Sequence, residues 1–390
     1  MFLVTFTFGQ AFAGANLIQN GTLQLSSPSK MPYEWKLGEW AGMTGTHEII
    51  PGKSGKAIQI TVSGSDETVA DRGVAFQQLH PTTVHQGEVY HYRDYIKGTV
   101  AKVYLDVEFL RFDGSKFYRG ITYSKPYGEW MRVDDTFTVP PGAVAMTVLR
   151  VVKDNGVIAF DNISLWQDAI KCEKGCVSFA FDDSRGQQLV PRILHDTGIY
   201  ATFYVNPVPI TEKWEPIVMP LSTLRYLARY GHEIANHSAT HLHPKLLPPD
   251  VLHNEVVWSK HRIENLVNRS VLSFAYPYGE SDATVIAKVK RFHSSARGVE
   301  VGQNAINTDD YNLKTLVVTE SMSVAEVKAY IDEASNTGKW LILSFHTISR
   351  AKTGAVWNYR AADLRALILY AKEKQTHIIT VSDGVARFLK

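Results

Sequence analysis

Ten of the 14 histidines lie beyond position 190, and four of them, His232, His237, His241 and His243, crowd into one short stretch. In His237-Ser238-Ala239-Thr240-His241, three intervening residues let two imidazoles converge from one turn of chain, a spacing suited to a bound metal. The plain alternative is a pair of polar loop residues. A further ligand is on offer where the apolar run Val177 to Phe181 passes into Asp182-Asp183. Adjacent carboxylates leaving a buried strand are costly to desolvate unless they are paired or bind a cation, so one can ligate while its neighbour serves as a base. Otherwise Asp183 caps the next helix and Asp182 is solvated. Two more strand-like runs end in polar groups. Phe274-Ala275-Tyr276-Pro277-Tyr278-Gly279 closes in a tight turn whose backbone N–H groups can face a ligand, and Trp340 to Phe345 ends at His346. A simple turn and a hydrogen-bonded structural histidine are the ordinary readings of the same residues.

These positions sit at the ends of a regular series. From Cys176 onward, strand-like runs (Val177 to Phe181, Tyr200 to Val205, Glu233 to Asn236, Val271 to Tyr276, Ser294 to Val301, Trp340 to Phe345, Ile378 to Val381) alternate with helix-length amphipathic segments. The helical segments are expected near Gln187 to His195, Ser222 to Tyr230, Pro249 to Val267, Asp282 to Phe292, Val324 to Ala334 and Ala361 to Lys374. Such alternation predicts a parallel sheet or barrel with its chemistry at the C-terminal strand ends. Before about Trp166 the pattern is β throughout. Strands are expected at Ala57 to Val62, Val74 to Leu79, Val89 to Ile96, Val103 to Phe109, Phe117 to Tyr123, Met131 to Val139, Ala145 to Val152 and Val157 to Leu165, with a hairpin turn at Asp113-Gly114. Short strands with frequent turns predict a sandwich. The boundary falls near Asp168 to Lys174.

The ordered set of motifs resembles the NodB-like polysaccharide deacetylases, carbohydrate esterase family four, over about residues 175 to 390. Phe179-Ala180-Phe181-Asp182-Asp183-Ser184 is similar to the family's T-F-D-D-G, His237 to His241 to its H-[ST]-x-x-H, Tyr276 to Gly279 to the end of R-x-P-Y-G, and Leu343 to His346 to its final histidine-bearing strand. The resemblance implies a distorted (β/α)7 barrel in which Asp183, His237 and His241 hold one divalent metal, zinc, with cobalt or nickel as alternatives. It further implies Asp182 as general base, His346 as general acid and the Tyr278 N–H as an oxyanion donor. The sequence departs from the family in four places. Ala275 stands where the third motif has the arginine that orients the catalytic aspartate; Arg297 on the next strand either supplies that guanidinium or is a surface residue. The fourth motif is not recognisable, Asp309-Asp310-Tyr311 lacking its pattern. Ser344 replaces the usual leucine before the last histidine, and Ser184 the glycine of the first motif.

With 390 residues, 45% hydrophobic and 21% charged, the chain is long and apolar enough for two folding units with sizeable cores. A formal charge of +2 without long like-charged blocks argues against nucleic acid or an anionic membrane as partner, and no run of about 18 apolar residues predicts a membrane span. Residues 1–13 read as a signal peptide lacking its basic start, or else as a first β-strand. Cys172 and Cys176 read as a small disulfide loop in an exported protein, or as two unpaired residues. Residues 14–168 resemble carbohydrate-binding jelly-roll modules, with Trp35, Trp40, Tyr123, Tyr127 and Trp130 available either to stack on sugars or to fill a core. The expectation is a secreted, periplasmic or cell-surface enzyme that removes N-acetyl groups from an N-acetylglucosamine-containing polysaccharide, its oligomeric state open. An O-acetyl esterase of xylan and a catalytically silent glycan-binding protein are the rivals.

Overall fold

Inward apolar residues alternating with outward polar ones give the first half two antiparallel sheets in the computed structural model, which describes residues 16, 17, 21, 23, 31, 32, 34–64, 72–212 and 217–389. The signal-peptide reading of residues 1–13 lies outside the described residues. One sheet runs Trp35–Trp40, Gly73–Gln78, Ala143–Val152, Val103–Arg111, Lys116–Ser124, with Thr82–Thr83 beside Ala143–Val152. The other runs Met43–Pro51, Lys56–Gly64, Gly156–Trp166, Val89–Gly98, Met131–Thr138. Val103, Leu105, Val107 and Phe109 of the first meet Ile58, Ile60, Val62 and Ile96 of the second in one core. Period-two patterning thus buries one face of each sheet. The Trp35–Trp40 and Met43–Pro51 strands are not among those expected, because Gly38 and Gly45 interrupt their patterning. Trp35 stacks on Phe76 at 4.4 Å and belongs to the core, whereas Tyr123 and Tyr127 are exposed.

The second half forms a curled parallel sheet in the order Ser295–Arg297, Ser273–Ala275, Glu233–Asn236, Thr202–Val205, Cys176–Phe181, Trp340–Phe345, Leu316–Val317. His377–Ile378 adds beside Cys176–Phe181. A bridge between Arg297 and Leu313 carries the curl toward closure. The two-residue strand Leu316–Val317 is too short to leave a pattern in sequence. Because side chains alternate across each strand, Phe179, Phe181, Leu343 and Phe345 pack outward under the helices. Ala180, Tyr204, Ala235, Ala275 and Ile342 fill the interior. The alanines leave room there for Tyr204 and for a buried arginine.

Cys172 and Cys176 are joined by a disulfide at the entrance to the first parallel strand, their Cα atoms 5.4 Å apart. The turn requires Gly175, whose φ is +69° and whose Cβ, if present, would lie 2.4 Å from the Ala334 carbonyl oxygen.

The sandwich docks on the end of the parallel sheet where strands begin. Ser270 N–H donates to Pro81 O at 2.8 Å, and His85 Nε2 lies 3.0 Å from Gly231 O. Leu272 and Ala386 join the sandwich core. At this junction Lys260 is fully buried between Glu34, at 2.7 Å, and Glu264. Removing one member of a buried ion cluster leaves the others uncompensated, so Lys260→Met is expected to destabilise the chain by about 3–5 kcal/mol. Denaturant unfolding of the full chain checks this; an unchanged midpoint would mean that water solvates the two glutamates.

Candidate active site

The C-terminal strand ends converge on one cluster. Phe181 ends its strand with Asp182 N–H still donating to Phe345 O at 2.9 Å, after which Asp183 (φ 68°) and Ser184 (φ 56°) turn into left-handed conformations. That turn separates the adjacent carboxylates, so Asp182 is buried in the sheet interior while Asp183 faces the histidines. Ser184 thus occupies a conformation that costs an L-residue roughly 1–2 kcal/mol and that a glycine would adopt without strain.

The histidine turn is held from three sides. Asn206 Nδ2 donates to the carbonyls of His237 and Ser238, Ser238 Oγ accepts from His241 N–H at 3.0 Å, and Glu255 accepts from Thr240 N–H and Oγ1 at 3.0 and 2.7 Å. Glu255 reaches the turn from a π-helical segment, Asn254–Trp258, that interrupts the helix run between Pro249 and Val267. Ser238 and His241 are also left-handed, as is Tyr278, so five of the twelve non-glycine left-handed residues described belong to this site. Concentrated backbone strain of this kind marks positions that the surrounding structure must hold.

His237 Nε2 and His241 Nε2 lie 3.3 and 3.5 Å from Asp183 Oδ1. His237 Nδ1 donates to Ala275 O at 2.8 Å, which leaves a lone pair on Nε2 facing a buried carboxylate oxygen that has no hydrogen-bond donor of its own. Two facing acceptors require a cation or a proton between them. Two imidazoles and one carboxylate suit zinc among divalent ions, and the carbonyl behind His237 is the outer partner that orients such a ligand. Burial alone would raise the Asp183 carboxyl, but a proton on His237 Nε2 would donate to it and bring a positive charge beside it, which holds it well below the usual carboxylate range. Burial, reinforced by His237, pushes His241 down to about 4, favouring the neutral, ligating imidazole.

Arg297 pairs with Asp182 Oδ1. Its strand is in register with the neighbouring one so that Arg297 lies directly beside Ala275, and its guanidinium stacks 4.4 Å from the Tyr204 ring. The arginine is nearly fully buried, and although burial disfavours its charge, Asp182 raises its pKa further above the ordinary value. His346 follows the Trp340–Phe345 strand with Nε2 4.0 Å from Asp183 Oδ2. Tyr278 sits in the turn beyond Ala275, where the Gly279 and Glu280 N–H groups bond back to Tyr276 and Pro277. Its exposed ring packs against His241 and His243 at 4.5 and 3.9 Å. Asp182, Asp183, His237, His241, Tyr278, Arg297 and His346 therefore share one face. Asp309 to Tyr311 run along the outer side of the Ser295–Arg297 strand, Asp310 O accepting from Ala296 N–H at 2.8 Å, Tyr311 O from Tyr276 Oη at 3.1 Å, and Tyr311 Oη donating to His293 O at 2.9 Å. Ser344 is fully buried in the sheet interior.

Several supporting residues leave no sequence signal. Gln187 Nε2 donates to Asp182 O at 2.5 Å and His346 O at 3.2 Å, tying the first site loop to the last. Trp357, 55% exposed, packs 5.0 Å from the His346 ring. Its loop is fastened by Glu320, whose carboxylate accepts from the N–H groups of Thr353 and Gly354 and from Asn358 Nδ2.

Residues 169–296 match the family model described as Polysaccharide deacetylase, and the chain carries such a domain over that stretch. The matched segment includes the aspartates and the histidine turn and ends one residue before Arg297. A Bacillus subtilis (strain 168) protein, "Putative polysaccharide deacetylase YxkH", is 26% identical over 175 residues, 44% of this chain. The chain spans 61% of the length of that relative. Among solved structures, a Streptococcus pyogenes deacetylase in complex with acetate is similar at 19% identity and a TM-score of 0.37, covering 40% of this chain and 69% of its own. A Xyl-CE4 domain of a multidomain xylanase from the hindgut metagenome of Trinervitermes trinervoides is similar at 20% identity and a TM-score of 0.38, covering 54% and 89%. A CE4 family pseudoenzyme from Bacillus anthracis is similar at 16% identity and a TM-score of 0.40, covering 56% and 68%.

Proposed function

We propose that this chain is a metal-dependent hydrolase that removes acetyl groups from the nitrogen of an N-acetylglucosamine-containing polysaccharide. The observation that carries the reading is the convergence of Asp183, His237 and His241 beside an aspartate held by a buried arginine. Asp183, His237 and His241 would hold a divalent metal, zinc by preference; when bound, such an ion polarises the acetyl carbonyl and acidifies water. Asp182 takes the proton from the attacking water, its carboxylate fixed by Arg297. The Tyr278 N–H donates to the oxygen on which negative charge builds. His346, on the other side of Asp183, gives a proton to the amine as it leaves. Tyr278 and Trp357 flank the cluster as faces for sugar rings.

The disulfide supports an exported setting, and the two-sheet unit is read as a jelly-roll module that holds glycan. Acetate release is to be measured on N-acetylglucosamine oligomers of β-1,4 and β-1,6 linkage, peptidoglycan and acetylated xylan, with and without chelator. Release from an N-acetylated polymer that stops on chelation is expected. Release from xylan alone would replace the amide reading with an ester one, and no release from any polymer by metal-loaded protein would favour a silent binding protein.

A further inference from the structure

The outward face of a solvated antiparallel sheet is normally polar. In the first sheet of the sandwich it is not. Ala75, Leu149 and Val151 point outward there yet are almost fully buried, with Trp40 and Tyr104 packed around them. They form the floor of a groove of about 650 Å³ that crosses the sheet from the Trp35–Trp40 strand to the Lys116–Ser124 strand. Two interior strand positions facing this side are glycines: Gly38, where a Cβ would lie 3.0 Å from Gln77 Nε2, and Gly120, at a β-bulge against Asp106. Gly120 lies opposite Asp106, where a Cβ would come within 3.5 Å of the carboxylate. A larger side chain there would cover it.

The polar groups of the groove indicate what enters. Its charged lining consists of Lys36, Lys116 and Lys153 against Glu39, Asp106 and Glu108, so the groove favours neither an anion nor a cation. Glu108 is occupied by Lys116 at 2.8 Å and by Tyr118 Oη at 2.5 Å. Asp106 is half-buried and directed into the groove, with no hydrogen-bond partner among the described residues. An apolar floor, an indole wall and a carboxylate free to accept hydroxyl or amide protons suit an uncharged sugar chain. The groove ends at Asn268, the residue that caps the Ser259–Val267 helix at the strand-start end of the parallel sheet. It therefore lies away from the Asp183 cluster.

We propose that this groove is a second glycan-binding site that takes an uncharged, still acetylated stretch of the polymer; the proposal rests on the polysaccharide reading above. The test uses full-length chain carrying Asp183→Asn, so that turnover plays no part, and titrates it calorimetrically with N-acetylglucosamine hexamer, the fully deacetylated hexamer and cellohexaose. Adding Asp106→Ala or Trp40→Ala is expected to weaken binding of the acetylated hexamer by about tenfold or more, the size of a lost charge-assisted hydrogen bond or stacking contact. Gly120→Gln, which fills the groove and removes no group, is expected to do the same. Thermal unfolding of each variant alongside separates lost binding from lost folding. Unchanged affinity in all three folded variants, or tighter binding of the deacetylated hexamer, would overturn the proposal. Groove-dependent binding of cellohexaose in preference to the acetylated sugar would keep a glycan site while removing N-acetylglucosamine as its ligand, a result distinct from failure of the catalytic reading.

Discussion

Asp182→Asn is expected to retain bound metal and lose turnover by about 10²–10⁴-fold, whereas Asp183→Asn is expected to lose the metal itself. The two carboxylates are adjacent in sequence but have different partners. Asp183 Oδ1 faces both imidazole nitrogens at 3.3 and 3.5 Å, so an amide in its place removes the one anionic donor of the cluster. Asp182 turns the other way, into contact with Arg297, and an amide there removes the proton acceptor without touching the ligand set. Asp182→Asn also leaves a buried guanidinium without its counter-charge, so a lower unfolding temperature should accompany the lost turnover. Metal content by elemental analysis of folded protein, with kcat on the same preparation, checks both halves. Equal metal loss in the two variants would sink the division of roles.

Arg297→Ala is expected to cut kcat by about 10²-fold with metal content and KM little changed, because the proposed role of the guanidinium is to orient Asp182 without touching substrate. Arg297→Lys should recover little, since an ammonium cannot reproduce a planar fork stacked on Tyr204. The register supplies a stricter test. Ala275 and Arg297 are direct neighbours on adjacent strands, so the exchange Ala275→Arg with Arg297→Ala returns a guanidinium to the same space from the other strand. Recovery of turnover by the exchange beyond that of Arg297→Lys is the expected outcome. A residue that only stabilises the parallel sheet would instead lower the unfolding temperature in the variants while leaving kcat of the folded protein unchanged.

Legibility of this molecule in sequence follows the distance over which each feature is specified. The parallel strands Cys176–Phe181 and Trp340–Phe345 are buried on both faces and read as short runs, apolar but for one serine each, followed by ionisable residues. The histidine turn is equally local, because Ser238 closes it onto His241 within four residues. Arg297 is visible only as a candidate, since its pairing depends on strand register across 115 residues. Gln187, Glu255, Glu320 and Trp357 carry no local mark at all. Their contacts exist only once distant loops have been brought to one end of the sheet. In the sandwich, patterning exposes the inner strands and hides Trp35–Trp40 and Met43–Pro51, where glycines serve packing against neighbours and blur the alternation.

Attachment of the sandwich to the strand-start end of the parallel sheet would, with the function and the groove proposed above, bear on how a long polymer is handled. The Asp183 cluster and the outer groove of the first sheet open at different ends of the molecule, so no short oligosaccharide can bridge them. A polymer held at both would run along the flank of the parallel sheet, and its free middle would act as a leash whose slack decides which sugars reach the strand-end site. Occupancy of both sites would then depend on polymer length, with a threshold set by the length of the parallel strands and their helices. Successive sugars would be sampled within the radius of that leash before the anchored chain lets go, which favours deacetylation in patches along a strand.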